Sequence, residues 1–443
     1  MQSRNIYYYI YIVFLVLLTC SFIFCISEED VNALPIYLMP LLCLLCFMFF
    51  TNIRKHLNSL AVMTISLVCL IRYGLYPMTI CIEKATSTSY TIFSYDAFCL
   101  MIYEMIVVLF FLNFYTSRLD SFNSVLSENI VSYRLSILNK FFLFLTIPLA
   151  LAFPSLLSMF SFLGIEKSSS AISGVFSTLF KVGLYIGYLS LLSKCSKKGR
   201  GGFLNLLTSM VIAVVYIFVI AIGESSVSRW AFLWIGIPTL MVLTNIYPRY
   251  KKSLVCFSSI TIPFAIIAGS FVKFALTDYS LVSFFSEFIT SDSLSEYFGG
   301  LNGLSFVVNN VVHDIKANTM YSTFTDLLCS APLLSTFFDF KNYSTQSIYL
   351  DYLNRSDLIC PLLGQSFLHF GFWGAPLFSI MMVALSVEFE RISKRAKDIY
   401  LMYASLSLCI TFSLFMCLNT IIILSNAWVL IMFLCVQLYN SRK

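Results

Sequence analysis

Twelve runs of apolar residues alternate with polar connections along the chain, and one connection is far longer than the rest. The runs fall at about 6–26, 34–53, 58–80, 95–116, 140–160, 171–193, 203–222, 230–247, 253–272, 364–388, 399–417 and 419–438. About 20 apolar residues carry an α-helix across the hydrocarbon core, and a spanning segment must satisfy its backbone within itself. The pattern therefore predicts an all-α polytopic membrane protein with about twelve transmembrane helices. The long connection runs from Lys273 to Cys360. The expected organisation is one membrane domain: a nine-helix region over 1–272, a large loop with short helices over 273–363, and a three-helix region over 364–443.

Orientation follows the Lys/Arg bias of short loops. One set of connections holds Arg4, Arg54, Lys55, Arg118, Arg134, Lys140, Lys194, Lys197, Lys198 and Arg200. The same set continues with Arg249, Lys251, Lys252, Arg391, Lys394, Arg395, Lys397, Arg442 and Lys443. Glu28, Glu29, Asp30, Glu83, Glu166 and Glu224 fall on the other side. Both termini are thus expected in the cytoplasm and the large loop outside. The first run is longer than a signal-peptide core and lacks a small-residue cleavage pattern, so it reads as a retained span.

Composition excludes a soluble reading: 59% of the 443 residues are hydrophobic and 11% charged, against roughly 25% charged in soluble domains. The net charge of +6 is spread over many short loops, which suits orientation and argues against a nucleic-acid partner. Most of the 14 cysteines lie inside apolar runs, where the thiol acts as a small hydrophobe. Cys43-x-x-Cys46 has no partner pair for zinc. Cys329 and Cys360 share the large loop, where an oxidising compartment would permit a disulfide.

The loop is rich in aromatics, among them Phe284, Phe285, Tyr297, Phe306, Tyr321, Phe337 and Tyr352, too many for a disordered linker. Apolar spacing predicts short helices within 281–289 and 321–338. The rings serve interfacial anchoring or a platform for sugar faces. Nine acidic residues oppose four basic ones, so an anionic substrate needs particular cations, Arg above all because its fork matches phosphate.

Arg229 is the basic residue of the short outside loop Gly223–Arg229, just ahead of Trp230. It either anchors at the interface, pairs with Glu224, or binds phosphate. Arg355 stands in the same relation to the tenth run, with Asp351 and Asp357 as alternative partners. His313, beside Asp314, is a candidate base by its near-neutral ordinary pKa. His369 lies near the start of the tenth run and is either a satisfied interface histidine or a substrate contact. Arg72, Glu104, Lys181 and Glu388 lie in or near apolar runs, where charge is costly and marks function by default. Arg72 and Glu104 fall at comparable depth and are expected to pair; Glu388 is expected to reach the cytosolic interface. No Ser-His-Asp constellation, phosphate loop, dinucleotide fingerprint, zinc spacing or metal-binding carboxylate pair is visible, so no cofactor or metal is expected.

A re-entry arginine after a glycine-containing turn (Gly223 to Arg229), and an aromatic outer loop before Gly364-Gln-Ser-Phe-Leu-His-Phe-Gly371-Phe-Trp-Gly374, resemble the O-antigen polymerases of the Wzy type. The resemblance implies a bacterial inner-membrane glycosyltransferase that joins undecaprenyl-pyrophosphate-linked repeat units, in some cases with a chain-length regulator as partner. It maps the family's basic outer-loop residues onto Arg229 and Arg355, although the arginine–glycine spacing described for some members is absent. His313 then takes the acceptor proton, and Asp314, Glu224, His369 and Arg72 contact substrate. A lipid-linked oligosaccharide flippase and an O-antigen ligase are the rival readings. The length of the loop argues against a carrier, while Arg72, Glu104 and Lys181 argue for one.

Overall fold

The computed structural model describes residues 34–83, 92–117, 136–153, 171–197, 202–221, 233–261, 294–295, 298–314, 320–331, 344–354, 358–396 and 398–441. Among these residues the regular structure is helical, with no strand. In chain order the helices are α1 (Leu34–Phe49), α2 (Thr51–Lys55), α3 (Leu60–Glu83), α4 (Tyr95–Ser117), α5 (Ile137–Ala152), α6 (Ala171–Lys197), α7 (Phe203–Ala221) and α8 (Gly236–Ile246). They continue with α9 (Leu301–Asn309), α10 (Met320–Ser330), α11 (Thr345–Leu353), α12 (Leu362–Gly374), α13 (Leu377–Arg395), α14 (Ile399–Leu414) and α15 (Thr420–Ser441). The expected first span lies outside the described residues.

Four described helices are long and apolar enough to cross a membrane: α3, α4, Val175–Cys195 of α6 and Thr420–Asn440 of α15. The pair α12 and α13 makes a fifth if counted together. Shorter apolar helices, α1, α5, α7, α8 and α14, complete the helical membrane-protein pattern. At the centre stands α14, buried along its whole length and packed against α3, α8, α13 and α15. A helix apolar on every side belongs in a core. Two of its hydroxyls are returned to its own backbone, Ser405 to the Leu401 carbonyl at 2.6 Å and Thr411 to that of Ser407 at 2.8 Å.

The bundle has two chemically distinct ends. At one, Glu390 of α13 reaches the start of α3, accepting from the Ser59 hydroxyl and from the amides of Leu60 (3.1 Å) and Ala61 (2.8 Å). It thereby caps another helix's free amides and meets its positive end. Lys394 pairs with the same carboxylate at 2.8 Å. Here Asn52 of α2 bonds Asn113 of α4, and Asn139 of α5 exchanges amide bonds with Gln437 of α15. Arg54, Lys55, Lys140, Arg391, Lys394 and Arg395 lie on the elements that meet there.

The other end carries the described part of the long polar stretch. Asn302 accepts from the Tyr76 hydroxyl of α3 at 3.0 Å, and the Leu301 amide donates to that same hydroxyl at 3.1 Å. Ser305 accepts from the Ser94 amide at the start of α4, and Asn309 donates to the Ile92 carbonyl. Leu301 to Val307 are all buried, so α9 is part of the bundle and not a surface appendage. Of the short helices expected in the loop, the one within 321–338 appears as α10, which packs against α15; that within 281–289 lies outside the described residues. Cys329 and Cys360 carry free thiols, so the permitted disulfide is not formed.

One expected span is corrected. The run 364–388 is not a straight helix but α12 and α13 meeting at 106°. Gly371 holds φ 68° and ψ −170°, a combination essentially confined to glycine, and Pro376 precedes α13. Carbonyls freed by the corner find side-chain donors: Tyr103 bonds the Trp373 carbonyl and Ser366 that of Gly374, both at 3.1 Å. Broken backbone in an apolar setting requires such replacements.

Candidate functional site: two buried polar centres

The first centre forms where α3 widens into a π-helical turn over Ile71–Leu75. Arg72 and the adjacent Tyr73 both reach Glu104 Oε2 of α4, each at 2.7 Å. In a regular helix successive residues point about 100° apart, so the wider turn helps neighbours converge. Ser379 of α13 donates to Glu104 Oε1 at 2.5 Å, and Arg72 Nη1 donates to the Phe298 carbonyl at 2.9 Å. The Arg72 and Glu104 side chains are each 1% exposed.

This pairing is the one the depth of the two residues predicts. Its burial also bears on the substrate role expected for Arg72: the guanidinium is enclosed and engaged, and ties the loop's Phe298 to the bundle. Gly299 makes the approach possible. Its φ is +55°, and a Cβ there would lie 2.3 Å from the Cys417 carbonyl oxygen and 3.1 Å from Arg72 Nη1.

The second centre is assembled from four helices. Ser322 and Asp326 stand one turn apart on α10, Thr345 opens α11, Gln365 and His369 stand one turn apart on α12, and Thr420 opens α15. Asp326 Oδ1 accepts from the Thr345 amide at 2.8 Å. Its Oδ2 accepts from the Thr345 hydroxyl at 2.5 Å and from the Gln365 amide, and lies 3.3 Å from His369 Nε2. His369 Nδ1 meets the Ser322 hydroxyl at 3.1 Å. Gln365 also donates to Thr420 Oγ1 at 2.7 Å and accepts from the Thr420 amide at 2.9 Å, joining the site to the start of α15.

An ionised carboxylate only accepts, so Asp326 favours the tautomer with hydrogen on Nε2 and leaves Nδ1 free to accept. The His369 and Asp326 side chains are 0% and 1% exposed, and the rings of Phe370 and Phe378 flank the imidazole edge-on at 6.0 and 6.1 Å. The fold thus gathers a serine, a histidine and an aspartate that no spacing reveals. As they stand the three do not form a hydrolase triad, because Ser322 is fully buried in the first turn of α10 and its hydroxyl has no open face toward a substrate carbonyl.

The centres are neighbours through two short links. Phe378 touches His369 while the next residue, Ser379, bonds Glu104. Cys417 lies against Arg72 while Thr420, three residues on, bonds Gln365.

The remaining expected site residues are placed as follows. Arg229, Glu224 and Arg355 lie outside the described residues. His313 is exposed on a single turn, Val311–His313. Asp314 receives a hydrogen bond from Tyr352, which raises that phenol's pKa. Neither belongs to the two centres. Glu388 is exposed and bonds Arg391 at 3.2 Å, while the buried carboxylate at that end is Glu390, two residues on. Lys181 is half-buried on α6. Asp326, Ser322 and Gln365 carry no local signal, since their partners stand 19 to 55 residues away. Among the described residues no group of three or more His, Cys, Asp or Glu side chains is arranged to hold a metal ion.

No protein family model, no curated protein and no solved structure matches this chain.

Proposed function

We propose that the protein joins undecaprenyl-pyrophosphate-linked oligosaccharide units at the outer face of a bacterial cytoplasmic membrane, lengthening a surface polysaccharide such as O-antigen. In this reading the chain crosses about twelve times, the basic end of the bundle faces the cytoplasm, and the end carrying α9 to α11 faces out. The observation that carries it is the His369–Asp326 contact, an acid–base pair held between the long polar stretch and the helix that follows.

In this reading α10 parts from α12 during turnover, Ser322 leaves Nδ1, and an acceptor hydroxyl takes its place, its oxygen attacking the anomeric carbon of the donor glycan. The bond from that carbon to the pyrophosphate oxygen breaks, the hydroxyl proton passes to Nδ1, and Asp326 steadies the imidazolium. Arg229 and Arg355 receive the charge of the departing pyrophosphate, an electrostatic contribution of the kind that can reach a few kcal/mol per donor. His369 thereby takes the part first given to His313. A ligase shares this chemistry and differs in acceptor. A carrier draws support from the buried Arg72–Glu104 pair, yet α9 packed into the bundle is hard to reconcile with a freely opening cavity.

The test is deletion of the gene and complementation, read as the length ladder of surface polysaccharide. His369→Ala and Asp326→Asn should leave single-repeat glycolipid while the protein still accumulates, as a lost general base typically costs 10²–10⁴ in rate. Normal ladders from both variants reject the site. Bare lipid core on deletion selects the ligase or the carrier.

A further inference from the structure

A line of polar residues runs through the interior of the bundle from one end toward the other. On α3, Ser59 at its start, Ser66 and Tyr73 recur every seven residues, which keeps them on one face of a helix. On α13, Ser379, Ser386 and Ser393 recur at the same interval, with Glu390 one turn after Ser386. The two helices pack together and run in opposite directions. Ser59 bonds Glu390 at the basic end, while Tyr73 and Ser379 meet on Glu104 further in. Ser66 lies about 10 Å along α3 from Ser59, and Ser386 about 6 Å along α13 from Glu390. Both therefore fall between the two buried carboxylates.

The Ser66 and Ser386 hydroxyls are more than nine-tenths buried, and neither has a hydrogen-bond partner among the described residues. The same holds for Arg72 Nε at the Glu104 end. A serine or threonine in a helix can return its hydroxyl to a carbonyl one turn back, as Thr64 of α3 and Ser393 of α13 do. Ser66 and Ser386 do not. Buried polar groups left this way call for ordered water, which typically makes about three hydrogen bonds to such groups. A hydroxyl both donates and accepts, and ionisable residues inside an apolar membrane bundle mark proton relays.

We infer that the seam between α3 and α13 is a proton path, in which water held by Ser66 and Ser386 connects Glu390 with Glu104. At each hop one O–H bond forms and one breaks, so a proton taken up at one end is matched by one released at the other. Lys394, bonded to Glu390 at 2.8 Å and itself 25% exposed, brings the basic end to solvent. Cys409 of α14 is a further titratable group near Glu390, and Arg72, Tyr73, Cys69 and Cys417 surround Glu104. Beyond Glu104, Tyr76 and Asn302 continue the polar line toward the other end. The π-helical turn that brings Arg72 and Tyr73 together on Glu104 is a distortion frequent at functional sites. A proton needs no opening cavity, so the packed α9 is no obstacle, and the inference stands apart from the polymerase reading.

Full-length protein is reconstituted in phosphatidylcholine vesicles with trapped pyranine, and proton entry is driven by a valinomycin-imposed potassium potential. Entry clearly faster than in protein-free vesicles, and reduced at least tenfold both by Glu390→Gln and by the paired Ser66→Ala and Ser386→Ala, supports the path. The serine pair breaks no hydrogen bond between described side chains, so it carries the test where Glu390→Gln does not fold. Ser407→Ala is the matched control. Its hydroxyl too is buried without a partner, but it shares the face of α14 on which Tyr403 meets Tyr185 and Tyr188 of α6, and its rate should equal the parent's. Entry no faster than in protein-free vesicles overturns the inference, as do an unchanged rate in the serine pair and an equal loss in Ser407→Ala. Polysaccharide plays no part in the readout, so either result leaves the proposed polymerisation to its own test.

Discussion

At the residue scale the buried charges set the sharpest constraint. Arg72 and Glu104 are enclosed together, and taking one away strands the other in a medium that cannot solvate it. Breaking a buried pair typically costs about 3–5 kcal/mol, whereas replacing both partners by apolar groups is often close to neutral. Arg72→Met and Glu104→Leu should therefore each lower the melting temperature of purified protein in detergent more than the double variant does. Two glycines separate backbone from space. At Gly371 an added Cβ meets nothing within 4 Å, so Gly371→Ala pays only for its φ and ψ, about 1–3 kcal/mol. At Gly299 the positive φ coincides with the Cys417 carbonyl 2.3 Å away. Gly299→Ala should be the more destabilising of the two by the same measurement and should loosen Phe298 from Arg72. The expectation that Arg72 and Glu104 pair was available from the sequence, because both interrupt apolar runs at matching depth. Asp326 was not, because one aspartate among nine acids in a polar stretch has nothing to distinguish it.

Among the elements, the start of α14 holds a titratable group outside the apolar runs. Burial pushes the Asp398 carboxyl from 3.8 up to about 6, against the lowering pull of the backbone amides of Tyr400, Ile399 and Leu401. A raised carboxyl binds its proton more tightly in the folded state. Its stabilising contribution is complete below 3.8, declines as pH rises, and is lost once pH has passed through about 6. Melting temperature should fall across that interval in the parent protein and more gently in Asp398→Asn, which keeps the size and helix-start preference of the side chain. Periodicity and length located α3, α4, α6 and α15 to within a few residues. They failed at α12 and α13, because an apolar run reports only that its residues avoid water. The corner depends on Gly371, on Pro376 and on the donors that Tyr103 and Ser366 bring to the freed carbonyls, and two of those four lie in other turns or helices.

For the whole molecule, the segregation of basic connections to one end and of the long polar stretch to the other makes sidedness testable. In a background lacking the exposed Cys256 and Cys435, a cysteine at the exposed position of His313 should react with a membrane-impermeant maleimide on intact cells, and one at exposed Lys55 only after lysis. Reversed labelling would place α9 to α11 inside and end the proposed outer-face chemistry. The hydropathy of the chain determined its class, since segments this apolar and this long are stable only in lipid or in one another, and the Lys/Arg bias supplied the expected orientation. Which polar groups meet was another matter. Whether Asp326 lies against His369, and whether α9 enters the bundle, are questions of contact between segments far apart in the chain. Those contacts are chosen by the collective need of buried donors and acceptors for partners, a need no single segment can meet from its own residues.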